Sequence, residues 1–210
     1  MTDRGGLDPR RSGLVVFDML ECHRPGIEEA GVIGPVRRLV EACRERGVPI
    51  FFARADHRPD GSDYNRSLTD TDASFRPWPE GAPQPDRFQH PESEMRVIRE
   101  LRVDGGDYDL PKHRWSAFFQ TPLELSLRSR DVDTLLLVGG STHVGIAATA
   151  YAARDLDHHV VVVGDGCFGF EPQRSFFLER VFPRMARVRT VDQAVAMLDG
   201  GGSGAEPGPA

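Results

Sequence analysis

The chain has 210 residues, 39% of them hydrophobic, enough for one compact domain with a sizeable core and too few for two full domains. Its 32 acidic and 26 basic side chains leave a net charge of −6 without a basic run, so a small-molecule partner is expected and a nucleic acid is not. No apolar stretch approaches the roughly 20 residues that cross a bilayer, and MTDRGGLDPRR carries no signal-peptide core, so a cytoplasmic location away from membranes is expected.

In chain order, residues 1–11 read as an N-terminal extension, 12–199 as the domain and 200–210 as a flexible Gly/Pro-rich tail. Gly13 to Met19 is a nearly continuous apolar strand. Ile33, Val36, Leu39, Val40 and Cys43 recur at helical spacing up to Gly47, a suitable C-terminal cap. Val48 to Arg54 is a second strand. Residues 55–90, rich in Pro, Asp, Gly and Arg and holding Phe75 and Trp78, form a long irregular excursion. Glu92 to Leu101 reads as a helix, and Thr121-Pro122-Leu123-Glu124 starts another with a capping box. Leu135 to Val138 is a strand, Ile146 to Leu156 a helix, Val160 to Val163 a strand and Pro172 to Val181 a helix. Arg187 to Arg189 is a last short strand, and Thr190 with Gln193 caps a final helix that stops at Gly200.

Apolar strands alternating with helices predict an α/β fold, a parallel sheet covered by helices on both faces. In such a three-layer, Rossmann-like sheet, ligands bind beyond the carboxyl ends of the strands, at the switch in strand order. That rule singles out Asp18 with Glu21, residues 54–57, Gly139 to Gly145, and Asp165 with Cys167.

Asp18 ends an apolar strand, so its carboxyl is either poised as an acid or base or caps the next helix. Of the 26 basic residues only Lys112 is a lysine. An ammonium is a compact charge whose pKa moves readily, so Lys112 is the candidate partner of Asp18. The turn Gly139 to Gly145 joins a strand to a helix start, where backbone amides can converge on an anion. It lacks the order of a Walker A loop or of GxGxxG. Cys22, Cys43 and Cys167 are widely spaced and fit a reduced compartment.

Val16-Phe17-Asp18-Met19, Lys112-His113-Arg114-Trp115-Ser116-Ala117-Phe118 and Gly140-Ser141-Thr142-His143-Val144-Gly145 together resemble the isochorismatase-like hydrolase superfamily. The resemblance runs over residues 12–199 and implies a parallel sheet of about six strands flanked by helices. Most members carry an Asp, Lys and Cys triad whose thiolate attacks an amide carbonyl. Asp18 and Lys112 match its first two members, and Gly145 stands where the cysteine would be. The chain is therefore similar to the true isochorismatases and aminodeoxyisochorismatases, which share the His-Val-Gly pattern, and to a second set of isochorismatase-like hydrolases. In the former an aspartic acid of raised pKa protonates a vinyl ether and water completes its hydrolysis.

The resemblance implies Asp18, Lys112 and Gly145 as the catalytic centre, with amides at Val144 and Gly145 for an oxyanion. It gives a cofactor-free hydrolase, active in a biosynthetic pathway of secondary metabolism and assembled as a homo-oligomer, a dimer or a tetramer. Candidate substrate-binding residues are Arg54, Arg114, Trp115, Phe118, Ser141, Val144 and His143. For the arginines, surface ion pairing is the alternative, and for the aromatics core packing is. The metal site of nicotinamidases, with Asp-x-His and a later histidine, is not matched by Asp56-His57, so no metal is expected. Two other readings stay open: C–N bond hydrolysis by a water that Asp18 activates, and a degenerate hydrolase kept as a ligand-binding or scaffolding subunit.

Overall fold

The computed structural model describes residues 5–58, 60–64 and 91–200. Most of the expected excursion at 55–90, with Phe75 and Trp78, and nearly all of the expected tail lie outside them. Six strands form one parallel sheet: β1 (Ser12–Phe17), β2 (Ile50–Ala55), β3 (Tyr108–Lys112), β4 (Thr134–Gly139), β5 (His159–Cys167) and β6 (Arg187–Arg189). Their order is β3-β2-β1-β4-β5-β6, which puts the switch between β1 and β4.

The helices are α1 (Arg24–Glu29), α2 (Ile33–Glu45), α3 (Leu123–Arg128), α4 (Ala147–Asp155), α5 (Gln173–Phe176) and α6 (Val191–Gly200). Alternation along the strands sorts side chains into two cores. On one face Leu14, Val16, Ile50, Phe52, Leu136 and Val138 meet Val36, Leu39, Val40 and Cys43 of α2 and Met197 and Leu198 of α6. On the other, Val15, Phe17, Phe51, Leu135 and Leu137 meet Leu123 and Leu127 of α3 and Ala147, Ala150 and Ala153 of α4. Both faces of β1 are covered, which explains its unbroken apolar run. No helix among the described residues is long and apolar enough to cross a membrane.

Several local expectations are corrected. Glu92 to Leu101 is not a helix but two single 3-10 turns, Glu92–Met95 and Arg99–Leu101. Between them Val97 pairs with Leu20 in an antiparallel bridge, and Ile98 donates to the Met19 carbonyl, so contact with the β1 exit overrides local propensity. Pro172 to Val181 holds only one regular helical turn, α5, followed by a wider turn, Phe177–Val181, that seats Phe182 in the core. The strand β3 is absent from the expected elements because Tyr108-Asp109-Leu110-Pro111-Lys112 has a single fully apolar interior position.

The capping box expected at Thr121 is half present. The Thr121 hydroxyl accepts from the Leu123 amide at 3.3 Å, while Glu124 pairs with Arg128 instead of reaching back. The box at Thr190 and Gln193 is reciprocal, at 3.0 and 3.2 Å. Part of the expected extension is docked: Leu7 is buried and its amide donates to Met197.

Candidate functional site

The site is built where β1, β2, β3 and β4 end. Beyond Phe17 the chain turns through Asp18 at φ 47°, a left-handed conformation that costs a non-glycine residue roughly 1–2 kcal/mol. The turn is held by its neighbours: the Asp18 amide donates to Ala53 at 2.8 Å and the Phe17 carbonyl accepts from Gly140 at 3.0 Å. Gly139, at φ 100°, has no alternative here, since a Cβ on it would lie 2.0 Å from the Phe17 carbonyl oxygen.

Asp18 and Lys112 meet although 94 residues separate them. Lys112 Nζ donates to Asp18 Oδ2 at 2.7 Å, and the Ala55 amide donates to Oδ1 at 2.6 Å. The two side chains are 12% and 5% exposed, so the ion pair is shielded, and both carboxylate oxygens are engaged. β3 makes the meeting possible, because its register sets Lys112 opposite Ala55 at the sheet edge next to β2. The ammonium also lies over the Phe17 ring, 4.4 Å from its centroid.

Gly145 lies in the turn Thr142–Ile146 that leads into α4. A Cβ placed on it would fall 2.1 Å from Cε1 of Phe17 and 2.7 Å from Cζ. The Phe17 ring thus fills the space that a side chain at 145 would need. The peptide Gly140–Ser141 is cis. The Val144 amide is not free for an oxyanion: it closes the turn onto the Ser141 carbonyl at 3.2 Å, which also accepts from Ile146 at 3.3 Å. Burial pushes the thiols of Cys22, Cys43 and Cys167 up to about 12, so each is protonated at neutral pH.

The other expected residues divide. His143 is half-buried, between Phe170 and Phe177, and burial lowers its pKa, which keeps the imidazole neutral near pH 7. Ser141 is half-buried in the same turn. Trp115 is 57% exposed, which leaves its ring available at the surface. Phe118 is displaced from the site: its ring stacks on His158, one residue ahead of β5, at the opposite end of the strands from Asp18. Arg54 is committed to Asp109 through two hydrogen bonds of 2.6 and 2.9 Å and to Asp56 at 3.1 Å. Arg114 donates to the carbonyls of Asp63 and His113. Glu21 is held by Arg24, and Asp165 caps α6 through the Val191 amide, so neither is available for chemistry.

Three groups escaped the sequence reading. Phe17 looks like one more core residue until its ring is seen against both Gly145 and Lys112. The Ala55 amide acts through backbone, which no residue type signals. His57, Asp63 and His113 converge in a cluster able to ligate a cation, with one ligand atom from each lying within 4.8 Å of the others. The expectation of no metal rested on the mismatch of Asp56-His57 and of a later histidine to the nicotinamidase pattern, whereas this cluster draws on His113, which directly follows β3.

Residues 12–193 match the model of the isochorismatase domain. The isochorismatase family protein YecD of Escherichia coli O157:H7 is 30% identical over 197 residues, covering 91% of this chain and 98% of the relative. The phenazine biosynthesis protein PhzD1 of Pseudomonas aeruginosa is 29% identical over 198 residues, covering 91% and 88%. Among solved structures, an isochorismatase family protein from Burkholderia thailandensis superposes with a TM-score of 0.77 at 27% identity, over 93% of this chain and 98% of that one.

Proposed function

The chain belongs to the isochorismatase family, and from that premise we propose that it hydrolyses a small metabolite by acid–base chemistry at Asp18 and Lys112, without a covalent intermediate. The observation that carries the reading is the shielded Asp18–Lys112 pair, 2.7 Å apart, beside a position 145 that has no side chain and no room for one. A vinyl ether of the isochorismate type is the substrate class that suits it, and the likeness to a phenazine biosynthesis protein supports a biosynthetic setting.

In this reaction Asp18 takes up a proton as substrate binds and the Lys112 ammonium turns to substrate oxygen, and the carboxyl gives that proton to the terminal vinyl carbon, which leaves an oxocarbenium ion. Water adds to that carbon–oxygen centre and its surplus proton returns to Asp18. The hemiketal then collapses to pyruvate and the alcohol. Lys112, fixed by Asp18 and by the Phe17 ring, orients the carboxyl and supplies a charge-assisted donor to substrate oxygen. His143, kept neutral by burial, would line the pocket as a hydrogen-bonding group without adding charge.

A second reading rests on a different feature. Both Asp18 oxygens accept hydrogen bonds, the arrangement of a carboxylate base that would activate water against a C–N bond. The product separates the two. Pyruvate release from isochorismate by the purified protein, abolished in Asp18→Asn, supports vinyl-ether hydrolysis. Ammonia or amine release from an amide and imine panel, with no pyruvate, replaces it by the second reading, and loss of neither product on Asp18→Asn rejects Asp18 as the acid–base group.

A further inference from the structure

In the reaction above, Asp18 must carry a proton before it gives one, and a neutral carboxyl no longer forms an ion pair with an ammonium. Resting on that reading, we propose that Phe17 is a positioning residue for Lys112. Its ring is the second seat of the ammonium: it keeps Lys112 in the site while Asp18 is neutral and directs it to substrate oxygen.

The donors of the ammonium can be counted. A lysine head has three N–H groups and no acceptor. Lys112 is 5% exposed, and among the described residues its Nζ makes one hydrogen bond, to Asp18 Oδ2 at 2.7 Å. A group so shielded gains little from bulk water, so its other donors need the protein or a ligand. The Phe17 ring serves the second: Nζ lies 4.4 Å from the ring centroid, well within the reach of about 6 Å over which an aromatic face attracts a cation. That leaves one donor for substrate oxygen.

The surroundings are fixed, so only the end of the lysine moves. Phe17 is 1% exposed, and its Cε1 and Cζ fill the space beside Gly145. The Lys112 backbone is held by its register opposite Ala55 and by its carbonyl, which accepts from the Asp56 amide at 3.0 Å. The carboxyl keeps a partner when the ammonium turns away, since Oδ1 accepts from the Ala55 amide at 2.6 Å. The ring face stays beneath the ammonium throughout. It matters most in the step where the counter-ion is lost, because a shielded charge with no partner is what a protein interior tolerates least.

The same role accounts for the residue type at 112. In a chain whose 26 basic residues include no other lysine, an arginine would be the expected cation here. A planar guanidinium would grip the carboxylate through two parallel bonds, whereas a compact ammonium on a flexible stem can leave it and still rest on the ring.

Because Lys112 is the single lysine, protein labelled with isotopic lysine gives one side-chain signal in NMR, read without any substrate. The CεH2 protons, next to the nitrogen that faces the ring, should be displaced upfield by its ring current. Asp18→Asn, a neutral stand-in for the protonated carboxyl, should keep that displacement, and Phe17→Val should abolish it. Adding Gly145→Ala to Phe17→Val refills the vacated space: Tm should recover while the displacement stays lost, which separates the ring from its packing. On the substrate that the pyruvate or amine assay identifies, both Phe17 variants should lower kcat about tenfold to thirtyfold with KM changed far less. Collapse of the displacement in Asp18→Asn, or wild-type kcat in the refilled variant, would overturn the proposal. A wild type that turns over neither substrate class, with the displacement kept in Asp18→Asn, would reject the hydrolytic reading and leave the ring as the seat of the ammonium.

Discussion

The contact between Gly145 and Phe17 allows a sharp test of why position 145 carries no side chain. Gly145 has no positive φ and leads into α4, so Gly145→Ala taken alone should stabilise by about 1 kcal/mol through helix propensity. The added Cβ would sit 2.1, 2.7 and 2.9 Å from three ring carbons of Phe17, a side chain only 1% exposed. Moving that ring is not free, because it packs against the core under α4 and carries the Lys112 ammonium 4.4 Å from its centroid. Overpacking of this kind costs about 1–3 kcal/mol. The balance is a net loss centred near 1 kcal/mol, or a fall of roughly 2–4 °C in Tm for a chain of this size. In a Phe17→Val background the obstruction is gone and the same substitution should raise Tm. Thermal and urea unfolding of the four proteins completes the cycle, with an expected coupling of about 0.5–3 kcal/mol. The reasoning fails if Gly145→Ala stabilises the wild type, or if its effect is the same in both backgrounds.

Two further outcomes follow from the charges. Lys112→Met leaves the Asp18 carboxylate shielded with only the Ala55 amide, and should cost about 3–5 kcal/mol in urea unfolding. Adding Asp18→Asn removes the stranded charge and should restore a large part of that loss, whereas additive losses would contradict a direct pair. The pH dependence rests on His143 and His158, whose pKa values are lowered by burial. The unfolded chain then takes up protons first as the pH falls, so stability is complete above about pH 6.5 and declines below it. Glu21 and Glu100, held low by Arg24, add their own loss as the pH falls from the ordinary carboxylate pKa to their lowered values. A urea midpoint that stays flat from pH 7.5 to 5.5, or a decline of the same size in His158→Gln, would refute this.

Much of the architecture is legible because it depends on patterns that persist along the chain. β1, β4 and β5 are buried on both faces and read as apolar runs, and α2 shows its core stripe at Val36, Leu39, Val40 and Cys43. β3 does not, since an edge strand needs little apolar character, and with it goes the one element that explains how Lys112 reaches Asp18. Residues 92–101 mislead for a related reason: their helical composition is outweighed by the bridge from Val97 to Leu20. In the site, Asp18 and Lys112 announce themselves by residue type, one a carboxylate ending an apolar strand and one the single lysine. Phe118 and Arg54 show the opposite case, in which type suggests a pocket and tertiary partners, His158 and Asp109, decide otherwise.

The link between Phe17 and Asp18 bears on the chemistry as well as on the fold. Successive residues leave a strand on opposite sides, and here the turn at Asp18 lets one strand end deliver two things: an aromatic ring into the space at 145 and a carboxylate to Lys112. Gly139 can approach this strand end closely because it has no side chain, whereas a Cβ on Gly140 would meet the Phe168 carbonyl oxygen, just beyond β5, at 2.6 Å. Phe17, Gly139 and Gly145 therefore form one packing unit. A chain that placed a thiol at 145 would need a smaller side chain at 17, and would lose the aromatic face under the ammonium. The missing side chain at 145 and the setting of the Asp18–Lys112 pair are thus one packing arrangement, in which the space of a side chain at 145 holds the ring that lies under the lysine.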